Sequence, residues 1–406
     1  MKHIISKSCA DAQAYIVPFR VGSHRGVSIT PEIDAAVDLA INGSFGGNLG
    51  ETYAMTLPAG DKLTSIILLG LGADRLSVRD IHTKAAPAFK QAKQLGAKHV
   101  AVMLDQLSEL SESAELFGAL ARLPQLVGYT NSGLKSNPEN KNFEQVAFVT
   151  AADGLDAALS EAVATARGTI IARRLCNLRS NEQTPQSLAE DAAALGKEYG
   201  FDVQLFDKAA IEELGMESFL SVARGAHNTP PVLIVMRYLN GGDSPRIGLV
   251  GKGIVYDSGG YSIKTTPGMK NMFDDMGGAA AVIGAMTAVA DQKLKANVIG
   301  VIAACENKIA ADAYVPGDII GSMSGKTIEV ISADAEGRLT LADAVTYIQR
   351  KESCRFVADI ATLTGSAKTA VGKYSAAVLT NNEELYASAR EASRLSAEKI
   401  WRLDND

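Results

Sequence analysis

The sequence predicts an α/β fold in which a smaller N-terminal α/β domain is followed by a larger α/β domain with a mostly parallel sheet. Apolar runs of strand length alternate with helical patterns along most of the chain, which is typical of sheets covered by helices on both faces. A length of 406 residues exceeds what one ordinary hydrophobic core fills, so two domains are expected. A hydrophobic content of 47% with 21% charged residues is typical of a globular protein.

The N-terminal domain is predicted to be an α/β unit that ends near residue 152. A last strand is followed by a turn and then by Ala-rich helical sequence, which gives domains over 1–152 and 153–406. The elements predicted in this domain are strands over 64–71, 99–104 and 143–150, a helix over 80–95 and a polar surface loop over 129–142.

One stretch of this domain, Gly70-Leu71-Gly72, has the spacing that opens a dinucleotide-binding fingerprint. Arg75 stands where a third small residue would let a helix pack closely on the strand. The likeness is therefore superficial, and the sequence disfavours nucleotide binding by this motif.

The second domain alternates more regularly between strands and helices. A connecting helix over 154–175 and a Pro-initiated helix over 186–197 introduce it. The further elements predicted are strands over 201–206, 231–238, 246–250, 296–304, 327–331 and 356–361, and helices over 209–214, 277–291 and 339–351.

Composition and charge disfavour several classes of partner. The formal net charge is −6 and no block of like charges occurs, so neither nucleic acid nor an anionic membrane is an expected partner. The first residues lack the pattern of a signal peptide, and no apolar run reaches the roughly 18 residues that a membrane span needs. These features predict a cytoplasmic protein.

The cysteines and histidines argue against two common kinds of site. The four cysteines form no CxxC pair, which disfavours a zinc finger or a disulfide framework. The five histidines lie outside the charged clusters described next, so a His-based zinc site or a Ser-His-Asp triad is improbable. Any metal would be held mainly by oxygen ligands.

Two charged clusters follow predicted strands of the second domain. Lys252, Asp257, Lys264 and Asp275 follow the apolar run 247–250. The second cluster follows the apolar stretch 327–331 and contains Asp334, Glu336 and Arg338. Because ligands of open α/β sheets bind outside the carboxyl ends of strands, we expect both clusters, and the segment 362–365 after a third strand, to meet in one crevice.

Four carboxylates in one pocket would repel one another unless cations neutralised them. Two divalent ions fit this number, and oxygen ligands suit Mg²⁺, Mn²⁺ or Zn²⁺ held about 3.5–4 Å apart, as in two-metal hydrolases. A lysine there could be a ligand or stabilise an oxyanion, and an arginine could hold an anion. Simpler interpretations also exist: Asp275 could cap a helix, Asp334 and Glu336 could favour a helix start, and the basic side chains could be solvated.

Three motifs identify a likeness to a known family. They are Asp257-Ser258-Gly259-Gly260-Tyr261-Ser262-Ile263-Lys264, Asp275-Met276-Gly277-Gly278-Ala279-Ala280 and Asp334-Ala335-Glu336-Gly337-Arg338-Leu339. They resemble the leucyl (cytosol) aminopeptidase family, most closely its bacterial peptidase B branch. The resemblance covers roughly residues 170 to 406, whereas the first domain is similar to the family's variable N-terminal domain only in general character.

The resemblance implies a dinuclear aminopeptidase that removes N-terminal residues, Leu and other apolar residues preferred, from peptides by means of a metal-bridging hydroxide. It implies Zn²⁺ or Mn²⁺, with Mg²⁺ or Co²⁺ as options in one position, and a homohexamer. One ion would be held by Lys252, Asp257, Asp275 and Glu336, and the more exchangeable ion by Asp257, Asp334 and Glu336. Lys264 would polarise the scissile carbonyl and Arg338 would bind a bicarbonate that acts as general base. The side-chain pocket would include Met272, Thr362 and Gly365.

The chain departs from the family's pattern in two places. Ser332-Ala333 replaces the usual Asn-Thr, which would alter polar contacts behind Asp334. The sequence ends at Asp406, where family members normally continue, so a truncated form with impaired activity is one expectation. Two rivals of other classes are a non-catalytic DNA-binding or structural relative and a two-metal phosphoesterase. Peptidase activity toward a leucine amide distinguishes both from the aminopeptidase.

Overall fold

The computed structural model divides into two compact units. Unit 1 comprises Met1–Ala166 and Ser366–Asp406, and unit 2 comprises Arg167–Gly365. The sequence-based division after residue 152 remains a prediction, and most of the predicted loop over 129–142 lies outside the described residues. The residues that the structure describes are 1–8, 12–22, 29–59, 61–131, 136 and 142–404.

The first chain segment of unit 1 forms a sheet of six strands. Its strands are β1 (Lys2–Ser6), β2 (Ala14–Phe19), β3 (Thr52–Ala59), β4 (Lys62–Gly70), β5 (His99–Met103) and β6 (Gln145–Val149). The helices between them are α1 (Pro31–Gly43), α2 (Val78–Asp80), α3 (Ala86–Gln94), α4 (Ser108–Glu112) and α5 (Ala114–Gly128), with a π-helical turn at Ile81–Ala85 and a 3₁₀ turn at Leu104–Gln106.

The strand order in this sheet is β1-β6-β5-β2-β4-β3. All neighbouring strands are parallel except β3, which pairs antiparallel with β4 at one edge. Ile67 of the sheet belongs to one hydrophobic core with Phe89 and Phe117, and Val17 belongs to another with Ile33 of α1. Strands with both faces covered read as continuous apolar runs, which is why β4 and β5 could be predicted from the sequence.

Helix α6 (Asp156–Asn177) continues from unit 1 into unit 2. Leu159 and Ala162 belong to the core of unit 1, while Ile171 and Leu175 belong to a core of unit 2. Within the described part of the chain, no helix has both the length and the apolar character that a membrane crossing requires.

Unit 2 contains the second sheet. Its strands are β7 (Asp202–Phe206), β8 (Val232–Leu239), β9 (Arg246–Asp257), β10 (Asn297–Asn307), β11 (Ile319–Ile320), β12 (Ile328–Glu329) and β13 (Phe356–Ile360). Its helices are α7 (Pro185–Tyr199), α8 (Lys208–Glu213), α9 (Glu217–Ala223), α10 (Thr266–Met269), α11 (Gly277–Asp291) and α12 (Glu336–Arg350), with a 3₁₀ turn at Met272–Asp274.

The main sheet of unit 2 has the order β13-β9-β10-β8-β7. Strands β13, β9 and β10 are parallel, β8 is antiparallel to β10, and β7 is antiparallel to β8, so only β8 runs against the others. Side chains that alternate along β8 enter opposite cores: Ile234 packs with α7 and α11, whereas Leu233 and Val235 pack with α9 and α12. The two-domain α/β fold with a mostly parallel second sheet is thus confirmed.

Local sequence signals explain the start and end of α7. Thr184 Oγ1 caps the helix by accepting a hydrogen bond from Ser187 N, and Ser187 Oγ in turn accepts one from Thr184 N. Pro185 occupies the first turn, where its missing N–H costs nothing. Gly200 ends the helix with a φ of 88°, a left-handed conformation that glycine adopts without strain.

One predicted strand of the main sheet was wrong. Residues 327–331 do not join that sheet: only Ile328–Glu329 form a strand, β12, which pairs antiparallel with β11 in a separate two-stranded sheet. Val330 is buried in a core of unit 2, whereas the next residue, Ile331, is 78% exposed, so this run has one covered side and not the two of a central strand.

The last part of unit 1 follows unit 2 in the chain. It contains β14 (Ser375–Val378), β15 (Lys399–Arg402), parallel to each other, and helices α13 (Gly365–Val371) and α14 (Glu383–Ser396). Arg122 of α5 donates to the carbonyl oxygen of Leu395 at 2.8 Å, and Arg394 of α14 forms two hydrogen bonds of 2.8 Å with Glu115. These contacts attach α14 to α5 within unit 1.

Candidate metal centre

Two lysines each lie between two carboxylates in unit 2. Lys252 Nζ is 2.8 Å from Asp275 Oδ2 and 2.8 Å from Glu336 Oε1, and it also donates to the carbonyl oxygen of Thr362 at 3.1 Å. Lys264 Nζ is 2.8 Å from Asp257 Oδ2 and also contacts Asp334 Oδ1. The two charged clusters predicted from the sequence therefore meet.

Three carboxylates come close enough to share a cation. Single oxygen atoms of Asp257, Asp334 and Glu336 all lie within 4.8 Å of one another. Asp257 is the last residue of β9, Glu336 is the first residue of α12, and Asp334 precedes it in the loop after β12. These carboxylates therefore come from the end of one strand and the start of one helix, and not from the ends of two strands.

The loop after Asp257 turns back toward the cluster by means of two glycines. Gly259 and Gly260 have φ values of 85° and 55°, which side chains rarely permit. A Cβ atom on Gly259 would lie 2.9 Å from Asp334 Oδ1 and 2.6 Å from the carbonyl oxygen of Ser262. The glycines thus let the loop approach the carboxylates closely and bring Lys264 between them.

Asn307, at the end of β10, connects the two halves of the cluster. It is fully buried, and its Nδ2 donates both to Asp257 Oδ1 at 2.8 Å and to the carbonyl oxygen of Ala333 at 2.9 Å. Tyr314 donates to the same carbonyl oxygen at 2.7 Å. The sequence alone does not predict roles for Asn307 and Tyr314, because a neutral residue beyond the predicted strand carries no charge signal. Only the position of Asn307 beside the strand ends could have indicated it.

Asp275 is held from two sides. Thr362 Oγ1 donates to Asp275 Oδ1 at 2.6 Å, and Lys252 lies beside Oδ2. Burial raises the pKa of Asp275 to about 7 against the lowering effect of Lys252 and Thr362. Burial acts to lower the pKa of Lys252, but Glu336 and Asp275 outweigh it and the pKa is raised. Partial burial likewise acts to lower the pKa of Lys264, but its hydrogen bonds to Asp257 and Asp334 together outweigh burial and the pKa is raised.

The residues present fit a divalent cation. Glu336 is 2% exposed, and its Oε2 atom is buried without a hydrogen-bond partner among the described residues. Four carboxyl groups surround only two ammonium groups, so the oxygen ligands outnumber the cations that the chain itself supplies. Oxygen donors with uncompensated charge are the ligands that Mg²⁺, Mn²⁺ and Zn²⁺ accept in proteins.

Not every predicted site residue joins these contacts. Arg338, two positions after Glu336 on α12, is exposed and forms no side-chain hydrogen bond or ion pair among the described residues. Met272 is half-buried in the 3₁₀ turn before Asp275, and Gly365 is exposed at the start of α13. The roles assigned to all the site residues remain predictions.

Comparison with known proteins identifies the family. The model of the cytosol aminopeptidase family's catalytic domain matches residues 170–406, and that of its N-terminal domain matches residues 34–138. The chain belongs to the cytosol aminopeptidase family. Membership confirms the prediction of a metallo-aminopeptidase, a hydrolase that depends on a divalent metal. The narrower likeness to the peptidase B branch remains a prediction.

Individual relatives of this aminopeptidase cover most of its length. A probable cytosol aminopeptidase of Clostridium perfringens (strain 13 / Type A) is 41% identical over 417 residues, which is 98% of this chain and 83% of the relative. One of Fusobacterium nucleatum subsp. nucleatum is 41% identical over 360 residues, 88% of this chain and 73% of the relative.

Two solved structures share the fold. A mutant of tomato leucine aminopeptidase has a TM-score of 0.86 at 29% identity and covers 99% of this chain and 82% of its own. The bottromycin maturation enzyme BotP in complex with Mn has a TM-score of 0.83 at 27% identity and covers 97% of this chain and 82% of its own.

Proposed function

We propose that the aminopeptidase holds two divalent cations and hydrolyses the peptide bond after an N-terminal residue, with Leu and other apolar residues preferred. Lys252, Asp257, Asp275 and Glu336 would hold one ion. The second, more exchangeable ion would be held by Asp257, Asp334 and Glu336, so Asp257 and Glu336 would bridge the two. We expect Zn²⁺ or Mn²⁺, with Mg²⁺ or Co²⁺ as options in one position.

One observation carries this proposal: oxygen atoms of Asp257, Asp334 and Glu336 lie within 4.8 Å of one another beside two buried or half-buried lysines. Such a group is stable only if cations balance it, because uncompensated buried carboxylates are costly. Bound ions would supply that balance and would lower the pKa of a shared water so that it serves as a hydroxide nucleophile near neutral pH.

The chain's own side chains would orient and activate the peptide. Lys264 is 17% exposed, so its ammonium group can reach a bound carbonyl group and stabilise the negative charge that develops on the carbonyl oxygen. The exposed guanidinium of Arg338 can hold a bicarbonate in its planar fork, and the bicarbonate would accept the water's proton. Met272, Thr362 and Gly365 would line the pocket for the first side chain. The peptide's free α-amine would bind to a metal ion held by these carboxylates, which restricts cleavage to the N-terminus.

The direct test is hydrolysis of leucine amide by the Mn²⁺-loaded protein. We expect Glu336→Gln to lower kcat/KM by at least about 100-fold, because the charge that balances both ions is lost. Glu329→Gln is the matched control, since Glu329 is exposed and its side chain forms no hydrogen bond or ion pair among the described residues. Hydrolysis of a phosphate ester but not of leucine amide, or equal activity in both variants, would refute the proposal.

The proposed assembly and location follow from the family resemblance. We expect a homohexamer in the cytoplasm that acts on peptides. Light scattering coupled to size-exclusion chromatography measures the assembly, and a monomeric mass with full peptidase activity would contradict the hexamer.

A further inference from the structure

A crevice in unit 1 lies at the point where the strand order of the sheet reverses. Its volume is about 950 Å³. From β2 the chain adds β4 on one side through β3, and then places β5 on the other side of β2. In open α/β sheets, ligands bind outside the carboxyl ends of strands at such a switch point.

The crevice is lined by residues that follow these strands. Arg20 comes directly after β2, Ala73 follows β4, and Glu109 lies in the helix after β5. Because β2 is parallel to β4 and to β5, the C-terminal ends of these three strands lie on the same side of the sheet. The opposite wall comes from the end of α14 and the start of β15, where Arg394 and Lys399 line the crevice.

The wall formed by the residues that follow the strands is held in place by internal contacts. Arg20 Nη1 donates to the carbonyl oxygen of Ala73 at 3.0 Å and to that of Asp74, and Arg20 Nη2 pairs with Glu109. Glu109 Oε1 accepts a hydrogen bond from Leu76 N at 3.3 Å. Arg20 and Glu109 thus hold the loop after β4 against the helix after β5, so the crevice exists before any ligand arrives.

Three other cationic side chains at the crevice have no polar partner among the described residues. Arg75, Arg79 and Lys399 are exposed, and their side chains form no hydrogen bond or ion pair within the described part of the chain. By contrast, Arg394 is held by Glu115 and Glu391. Among the carboxylates that line the crevice, Glu112 alone has no partner in the described residues, so cationic charge is in excess.

We propose that this crevice binds a small molecule carrying a phosphate dianion, with Arg75, Arg79 and Lys399 as its charge partners. Guanidinium groups match phosphate oxygens in a two-pronged geometry, and two arginines on one short segment are suited to one phosphate. The volume lies in the range of small-molecule sites, about 300–1,000 Å³, and leaves room for a nucleoside beside the phosphate. The arginines, not the Gly70-Leu71-Gly72 motif, carry this proposal.

The site is independent of the proposed metal centre, and the test keeps the two apart. The full-length, Mn²⁺-loaded protein is titrated with AMP, inorganic phosphate and adenosine by calorimetry at about 150 mM ionic strength. The double variant Arg75→Gln/Arg79→Gln removes two charges from the crevice. Arg390→Gln is the matched control, because Arg390 is an exposed arginine of α14 that does not line the crevice.

We expect AMP and phosphate to bind the wild type, and the double variant to weaken binding at least about 10-fold because charge-assisted hydrogen bonds are lost. Arg390→Gln should leave the Kd within about twofold, and leucine-amide hydrolysis should be unchanged in both variants. Tighter binding of AMP than of phosphate would support enclosure of the nucleoside, and equal binding would support recognition of the phosphate alone.

Three results would overturn the proposal. The first is absence of binding of AMP and phosphate up to about 5 mM. The second is unchanged binding in the double variant, which would place the anion elsewhere, including at the metal ions. The third is equal binding of adenosine and AMP, which would mean that phosphate is not recognised.

Discussion

Replacement of the buried lysine by methionine, Lys252→Met, tests whether its charge holds the metal-free site together. Lys252 is 2% exposed and its ammonium group lies 2.8 Å from each of Asp275 and Glu336. Methionine keeps an unbranched side chain of similar length but leaves two buried carboxylates without their cation. Removal of one partner of a buried ion pair costs about 3–5 kcal/mol, so we expect a loss of that size in the free energy of unfolding.

Urea denaturation of the metal-free protein, followed by circular dichroism, measures this loss. Lys197→Met on α7 is the control, because Lys197 is exposed and its side chain forms no hydrogen bond or ion pair among the described residues. It should change stability by no more than about 0.5 kcal/mol. Excess Mn²⁺ should recover part of the loss if a cation can take over the charge balance. A loss below about 1 kcal/mol in Lys252→Met would show that Lys252 does not hold the carboxylates.

Three further substitutions test the site and the packing of unit 2. Asn307→Ala removes the 2.8 Å hydrogen bond to Asp257 and should weaken Mn²⁺ binding by about 10- to 100-fold in a calorimetric titration; unchanged affinity would contradict a positioning role. Gly278→Ala places a Cβ atom 2.0 Å from the carbonyl oxygen of Ile360, so we expect a destabilisation of at least about 1–3 kcal/mol in thermal denaturation, and a neutral effect would be inconsistent with this packing. The buried carboxylate of Asp343 accepts hydrogen bonds from two backbone N–H groups, and Asp343→Ala would leave both without an acceptor. We expect a cost of about 2–5 kcal/mol in urea denaturation, and a cost under about 1 kcal/mol would disagree with the structure.

The charged residues of the site could be predicted because charge is conspicuous at the ends of apolar runs. Lys252 lies among apolar residues and glycines in the middle of β9 and is buried, so only a strong compensating interaction could keep it there. Their charge also indicates that Asp334 and Glu336 lie beside it. The expectation that they follow a strand of the main sheet is wrong, because residues 327–331 do not belong to that sheet. The loop after β12 and the start of α12 bring them in.

The neutral and distant partners could not be predicted in the same way. Asn307 acts through two hydrogen bonds that depend on the pairing of β9 with β10, and no local pattern encodes that pairing. The crevice of unit 1 combines Arg75 and Arg79 with Lys399, which lies beyond the whole of unit 2 in the sequence. Each of these cations alone has the appearance of an ordinary solvated charge.

The metal content of the purified protein tests the central claim most directly. After loading with Mn²⁺ and desalting, elemental analysis should find about two ions per chain in the wild type and about one in Asp334→Asn, in which only the exchangeable position loses a ligand. Less than one ion per chain in the wild type, or a count that Glu336→Gln leaves unchanged, would contradict a two-metal centre built on these carboxylates.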